Sequence, residues 1–206
     1  MGRQTIRAAV LASGLAVFGA CTPRLENLEE IDPYKAVILL PVIEEFVTSP
    51  GKASVTLLGF QGPVRFLSRA TISGRTGRAE LLGDNRIITY ALHQVVPGQY
   101  ALHDWVLFRR RGVSLLLADS PTVTVEAGVV YYLGDFIVNN LTQTARVSAG
   151  REARIAGYKR RNRVLADVEI VDVSAQMALD CWAQDATAIV VAGNAVLEHA
   201  VAACDM

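Results

Sequence analysis

The chain has 206 residues, about half of them apolar, enough for one domain with a sizeable core. Lys+Arg and Asp+Glu balance at 20 each, which excludes the strongly basic face of a nucleic-acid binder. Beyond the N-terminus no apolar run reaches the ~18–20 residues of a membrane-spanning helix.

Arg3 and Arg7 precede a short apolar stretch, residues 8–20, of the length of a secretory leader. The stretch ends Val17-Phe18-Gly19-Ala20-Cys21. Small residues directly before a Cys resemble the bacterial lipobox, in which the Cys is lipidated and becomes the first mature residue. Phe18 stands where that pattern usually has Leu. The alternative is ordinary cleavage after Gly19 or Ala20, with Cys21 a plain thiol. The resemblance implies a signal peptide over residues 1–20, lipidation of Cys21 and attachment to a membrane of the bacterial cell envelope, facing the periplasm or the surface. Thr22 follows the Cys in place of an Asp, which in lipoproteins of this kind points to the outer membrane over the inner. One acyl chain anchors only marginally, whereas several bind durably. Losing Arg3 and Arg7 with the leader leaves 18 bases against 20 acids.

Residues 21–33 are polar and acidic (Glu26, Glu29, Glu30, Asp32) and read as a tether. Residues 34–41 are rich in Val, Ile and Leu and form a first strand; residues 44–51 connect it onward through Ser49-Pro50-Gly51. Residues 54–60 alternate, Gly62-Pro63 turns the chain into residues 64–69, Ser73-Gly74 and Thr76-Gly77 mark a flexible tip, and Gly83-Asp84-Asn85 precedes a strand over 86–92. Pro97-Gly98 is a type II turn signal: Pro presets φ and Gly accepts the positive φ that follows. The strand over 99–109 carries Tyr100, Leu102, Val106 and Phe108 on one side, interrupted at Asp104 by a bulge or a sheet edge. Arg110-Arg111-Gly112 then reverses the chain into residues 113–118, with Gly at the positive-φ position. Pro121 opens a short strand, Ala127-Gly128 turns it, and residues 129–138 are apolar on both sides, as in a strand buried on both faces. Residues 144–149 and 152–158 flank Gly150 as a further hairpin.

Near Val168 the pattern changes. Residues 168–173 finish a strand, and Asp172 or Ser174 caps a helix. Ala175, Ala178, Leu179 and Trp182 recur at one-face helical spacing, and Asp185 offers a second cap. Val196, Leu197, Ala200, Val201 and Cys204 form another stripe after Gly193. The expected fold is mainly β: an antiparallel β-sandwich over residues 34–165 with a C-terminal helical hairpin, residues 166–206, packed on it (α+β overall). With Cys21 acylated, Cys181 and Cys204 remain to pair in an oxidising compartment; two separate buried thiols are the alternative.

Pro97, Gly98 and Tyr100, followed by Ala127, Gly128, Tyr131 or Tyr132, Gly134 and Asp135, give the pattern PGxY…AGxxYxGD. It resembles the sandwich domains of small proteobacterial lipoproteins of unknown function, similar in turn to transthyretin-like and carboxypeptidase-regulatory-like β-sandwiches. The match covers about 40 residues of turn chemistry in which Pro97, Gly98, Gly128 and Gly134 are structural. The group implies no catalytic residues, and none is assigned.

Other chemistry is thinly represented. Ser73 before Gly74, and Ser13 in the leader, do not fit the G-x-S-x-G elbow of a serine hydrolase. His93 and His103 flank the Pro97-Gly98 turn beside Asp104, where a hairpin would bring them together. No Cys/His cluster with metal-ligand spacing accompanies them, His199 lies among apolar positions, and no metal or cofactor is assigned. Tyr131, Tyr132, Trp105 and Phe136 read as core or half-core residues; a glycan-stacking row is the alternative. Two basic clusters, Arg109-Arg110-Arg111 and Lys159-Arg160-Arg161 with Arg163, fall where loops are expected, solvated or touching anionic lipid or cell-wall polymer. The expected function is a non-enzymatic envelope lipoprotein that binds another envelope protein or a cell-wall component. A glycan- or lipid-binding lipoprotein is the alternative, and a metal-dependent or serine hydrolase a more distant one.

Overall fold

The computed structural model describes residues 30–61, 65–108, 110–112, 114–116, 119–150, 152–183 and Cys204. In chain order, β1 (Ala36–Leu39), β2 (Val42–Glu45), β3 (Ala53–Gln61), β4 (Arg65–Ser73) and β5 (Ala79–Gly83) come first. Then follow β6 (Arg86–Thr89), β7 (Leu92–Val95), β8 (Gly98–Leu107), β9 (Arg110–Arg111) and β10 (Thr122–Val125). The remainder is β11 (Val130–Tyr132), β12 (Asp135–Asn139), β13 (Thr144–Ser148), helix α1 (Glu152–Arg161), a 3-10 turn (Arg163–Leu165), β14 (Ile170–Asp172), the one-turn helix α2 (Ser174–Met177) and β15 (Leu179–Ala183).

The protein is mainly β and sandwich-like. One face is a sheet of order β10-β8-β3-β4, with β9 paired to the end of β8; we call it the front sheet. Opposite lies a central layer in two halves, β14-β11-β1-β7 and β15-β13-β12-β2-β6-β5. Each line of chain crosses from one half to the other: β1 runs into β2, β11 into β12, and β6 into β7. Backbone bonds from Leu40 to Ala91, Leu133 to Leu39 and Phe136 to Pro41 stitch the junction. The break sits where Pro41 has no N–H to donate and where Gly134 adopts φ 104. A side chain at Gly134 would meet Ser148 O at 2.5 Å.

Both faces of the central layer are buried. Ile38, Leu40, Val42, Leu133, Phe136 and Val138 join Val55, Leu57, Tyr100, Leu102 and Trp105 of the front sheet in the larger core. Val37, Leu39, Ile43, Val130 and Tyr132 face the other way, into a second core closed by Tyr158 of α1 and Leu165. Burying each such large apolar side chain is worth about 1.5–3 kcal/mol. The pairs β1–β11, β2–β12 and β11–β14 are parallel, which departs from the expected antiparallel sandwich. The continuous apolar runs of residues 36–43 and 129–133 are what parallel, doubly buried strands require.

Other segments differ from the sequence reading. Residues 152–158 are the body of α1 and not the second arm of a hairpin. Glu152 lies in the first turn and Lys159, Arg160 and Arg161 in the last, complementing the helix dipole. Leu179–Ala183 is a strand on the edge of β13, where a helical face was expected; pairing with β13 satisfies a row of backbone groups that a helix there would leave open. Asp172 Oδ1 does accept the Ser174 N–H, at 2.9 Å, but the helix it opens is a single turn. The second expected helix, with Asp185, Gly193 and His199, lies outside the described residues, as do the leader, Cys21, Gly62-Pro63 and Arg109. The interruption at Asp104 is a bulge: the β3–β8 register shifts between Thr56 and Leu57, opposite Asp104 and Leu102. Gly112 takes no left-handed turn. Its N–H bonds Trp105 O, and any side chain there would strike the buried Trp105 indole, so glycine serves close approach. The left-handed position of this hairpin belongs to Phe108, φ 58.

Asp135 secures α1 to the central layer. It accepts from the Tyr132 hydroxyl at 2.6 Å and from Arg154 Nε at 3.0 Å, all three groups being largely buried. Tyr158 donates to Ala91 O at 2.6 Å and meets Tyr90 edge-on. Replacing Asp135 by Ala should destabilise the fold by about 3–5 kcal/mol, the range for breaking one side of a buried ion pair, read as a lower urea midpoint. A loss under about 0.5 kcal/mol, the size of an ordinary surface change, would mean α1 is held by packing alone.

Candidate functional site

The resemblance motif proves to be fold chemistry. Tyr100 is fully buried, and its hydroxyl donates to Val96 O at 2.8 Å, closing the turn four residues upstream; Ser68 Oγ also contacts it. Burial raises the Tyr100 pKa. Gly98 has φ 157 and already opens β8, so Pro97-Gly98 lacks the positive φ of about 80° that a type II turn needs. Gly128 does take φ 76, and that turn is braced by the Glu126 N–H donating to the Tyr131 hydroxyl at 3.1 Å. Tyr132 and Asp135 belong to the α1 anchorage, where burial and the Asp135 carboxylate push the Tyr132 hydroxyl pKa well up. Trp105 and Phe136 are core residues.

The expected basic clusters lie on opposite layers. Arg110 and Arg111 are exposed on β9, at the end of the front sheet. Lys159, Arg160 and Arg161 sit on the last turn of α1, not in a loop, and Arg163 follows in the 3-10 turn. Arg161 is engaged: Nε donates to Glu80 at 2.8 Å and its guanidinium lies 4.0 Å from the Tyr90 ring centre. That hydrogen bond holds the Glu80 carboxyl below its ordinary range. His93 and His103 do not share a hairpin: β7 pairs with β1, and β8 with β3 and β10. Burial lowers the His93 pKa. Among the described residues no three His, Cys, Asp or Glu side chains gather as metal ligands. A disulfide joins Cys181 to Cys204, with Cα atoms 5.4 Å apart.

One concave feature has no local signature in the sequence. It is a cleft of about 430 Å³ at the end of the front sheet where β3 begins and β8 ends. Its floor is the outer face of the sheet. Ser54 stands opposite Ser73 on one side and Val106 on the other, with Thr71 two pairs further along on the same face. Lys52, Arg75 and Phe108 form its rim. Lys52 Nζ lies 5.9 Å from the Phe108 ring centre, and Phe108 is 47% exposed. Among the described residues neither Lys52 nor Arg75 forms an ion pair.

A buried acid holds this cleft in shape. Glu44 ends the apolar run of the central layer and points toward the front sheet, fully buried. Its Oε2 accepts the Gly51 N–H at 2.7 Å, and its Oε1 accepts those of Lys52 and Ala53 at 2.6 and 2.7 Å. Arg75 Nε binds Gly51 O at 2.9 Å, and the Phe108 N–H binds Lys52 O at 3.0 Å. The wall that carries Lys52 is thus fixed by bonds from three directions. The sequence pattern places Glu44 at the start of a connecting loop; the one signal that departs from it is a carboxylate directly after a doubly buried run.

The chain matches no family model, no curated protein and no solved structure. Among the described residues no helix is long and apolar enough to cross a membrane.

Burial pushes the Glu44 carboxyl above its ordinary 4.5, although three backbone bonds and the Lys52 charge pull it back. Folding therefore takes up a proton at this group. Its contribution to stability rises as pH falls from neutrality through the folded pKa, and levels off below about 4.5. Glu44→Gln removes that slope and leaves one backbone N–H without an acceptor, costing about 1–3 kcal/mol. In urea titrations the deficit of the variant should be larger at the acidic end of the window than at neutral pH. A deficit that shrinks toward acid would reverse the assigned shift.

Proposed function

We propose that this protein is a lipid-anchored component of the bacterial cell envelope that works as a non-enzymatic recognition module. The anchor reading rests on Arg3, Arg7, the apolar residues 8–20 and Gly19-Ala20-Cys21. Attachment to the outer membrane over the inner rests on Thr22. A likeness to the small proteobacterial lipoproteins with transthyretin-like sandwiches is part of the same proposal, carried by Pro97 to Tyr100 and Ala127 to Asp135.

The observation that carries the module reading is the division of labour among polar side chains. Inside the fold, Glu44, Asp135, Tyr100, Tyr132 and Tyr158 are consumed by bonds to neighbouring protein groups. Two cations without an ion pair among the described residues, Lys52 and Arg75, stand on the surface around a concave cleft. The chain also enters at the other end of the sandwich: Asp32 N–H bonds Gln94 Oε1, and Gln94 Nε2 bonds Glu30 O, beside the end of β7 and the start of β8. A tether leaving there holds the cleft about one β3 length away, roughly 26 Å at ~3.3 Å per residue. That arrangement supports a reading in which recognition points away from the anchoring bilayer.

Processing tests the anchor. Globomycin, which blocks the lipoprotein signal peptidase, should accumulate a precursor longer by the leader, and Cys21→Ser should abolish membrane fractionation. A Cys21→Ser chain still cut at the same rate and found in the same fraction would mean ordinary secretion. Crosslinking followed by pull-down of the lipidated chain from its own envelope then tests recognition. Recovery of no envelope component would end the module reading.

A further inference from the structure

We infer that the cleft between Lys52, Arg75 and Phe108 is a binding site for a sugar that carries an oxyanion, either a carboxylate or a phosphate. The inference deepens the recognition-module reading and rests on it for its biological setting, but its chemistry stands on the cleft alone.

Five features converge on this ligand class. The cleft holds about 430 Å³, within the range of small-molecule sites. Two cations on its rim have no carboxylate partner among the described residues. Among the described residues Arg75 uses Nε on Gly51 O, which leaves the two terminal nitrogens to meet an oxyanion end-on. The floor offers the hydroxyls of Ser54 and Thr71, each able to donate and accept, as hydroxyl-rich ligands require, while Ser73 Oγ beside them already donates to Ala53 O and accepts the Arg75 N–H. Phe108 supplies an exposed ring face against which the C–H face of a sugar can lie, held in a left-handed conformation, φ 58, that a bulky residue adopts only under constraint.

A flat lipid surface suits these features less well. The cations flank a concavity floored by hydroxyls, and one ring is too little to insert among acyl chains. Arg110 and Arg111 stand just beyond the rim, on the strand paired with the end of β8, and would add attraction to a longer anionic chain without shaping the cleft. The wall carrying Lys52 is set by Glu44 before any ligand arrives, so little ordering is lost on binding.

The full chain titrated with D-glucuronate, D-glucose 6-phosphate and D-glucose, followed by amide NMR shifts, decides the matter. At least one of the two anions should bind, with shifts centred on Gly51–Ser54, Thr71–Arg75 and Val106–Phe108; their relative affinities tell carboxylate from phosphate. Glucose should bind at least about tenfold more weakly, the loss of one charge-assisted contact. Lys52→Gln, Arg75→Gln and Phe108→Ala should each weaken the anion several-fold or more. Arg75→Gln also loses a structural bond, so Lys52→Gln, which keeps its backbone contacts, is the decisive variant. Absence of binding by both anions, shifts elsewhere, or an unchanged affinity in Lys52→Gln would overturn the assignment. So would binding to phosphatidylglycerol vesicles that neither sugar displaces. Capture of an envelope component by Lys52→Gln at wild-type yield would remove the cleft while leaving the module reading intact.

Discussion

Everything in this fold is arranged around a parallel pair of chain segments, β1–β2 and β11–β12, that is dry on both faces. A strand buried on one face can alternate polar and apolar residues; one buried on both cannot. Val37, Ile38, Leu39 and Leu40 are all wholly buried, and so are Val130, Tyr132 and Leu133. Such a pair needs a cover on each side, which makes the front sheet and α1 obligatory. The C-terminal strands are bound by the same need, since β14 extends the pair along one edge and β15 closes the edge of β13.

An apolar pair of this kind supplies binding strength with little direction. Two buried carboxylates, one on each side, supply the direction. Glu44 faces the front sheet and fixes where β3 starts; Asp135 faces α1 and fixes where the helix lies. Both sit at positions where the alternation along their strand would otherwise place an apolar side chain. The exchange costs desolvation at each acid, and for Glu44 that cost shows as a raised pKa. What it gains is a single register for each cover, because an acid with its donors removed is far worse off than a misplaced leucine.

The parts of this plan that follow local rules were legible in the sequence. The turn at Ala127-Gly128, the bulge near Asp104, the alternating β3 and β8 and the doubly buried run after Val129 all announce themselves through Gly, period two or continuous apolarity. What was misread depended on partners remote in sequence. Ala153, Ile155 and Gly157 imitate a strand's alternation, but Arg154 and Tyr158, four apart, both face the central layer, and Gly157 is small because the Tyr90 ring passes over it. Leu179 and Trp182 imitate a helical face, yet an open edge on β13 draws them into a strand. The cleft was invisible for the same reason. Lys52, Arg75 and Phe108 lie far apart along the chain, and each belongs to a different strand end that sheet pairing brings together.

The cleft and the central acid are therefore one construction. Without Glu44 the segment from Gly51 to Ala53 has three backbone donors and no acceptor for them, and Lys52 has no fixed place on the rim. With it, the energy of the buried core is transmitted through three short hydrogen bonds into the position of a surface cation. Rigid walls matter most where a ligand is small and its contacts few, because each mobile side chain that must be ordered subtracts from a modest total. In the proposed reading as a membrane-held module the same logic is stronger, because ligands would be met at high local concentration and modest affinity at a preformed site would suffice. The described chain begins beside Gln94, at the end of β3 opposite the cleft, so that reading needs no more than the length of one strand to set the cleft apart from the anchor.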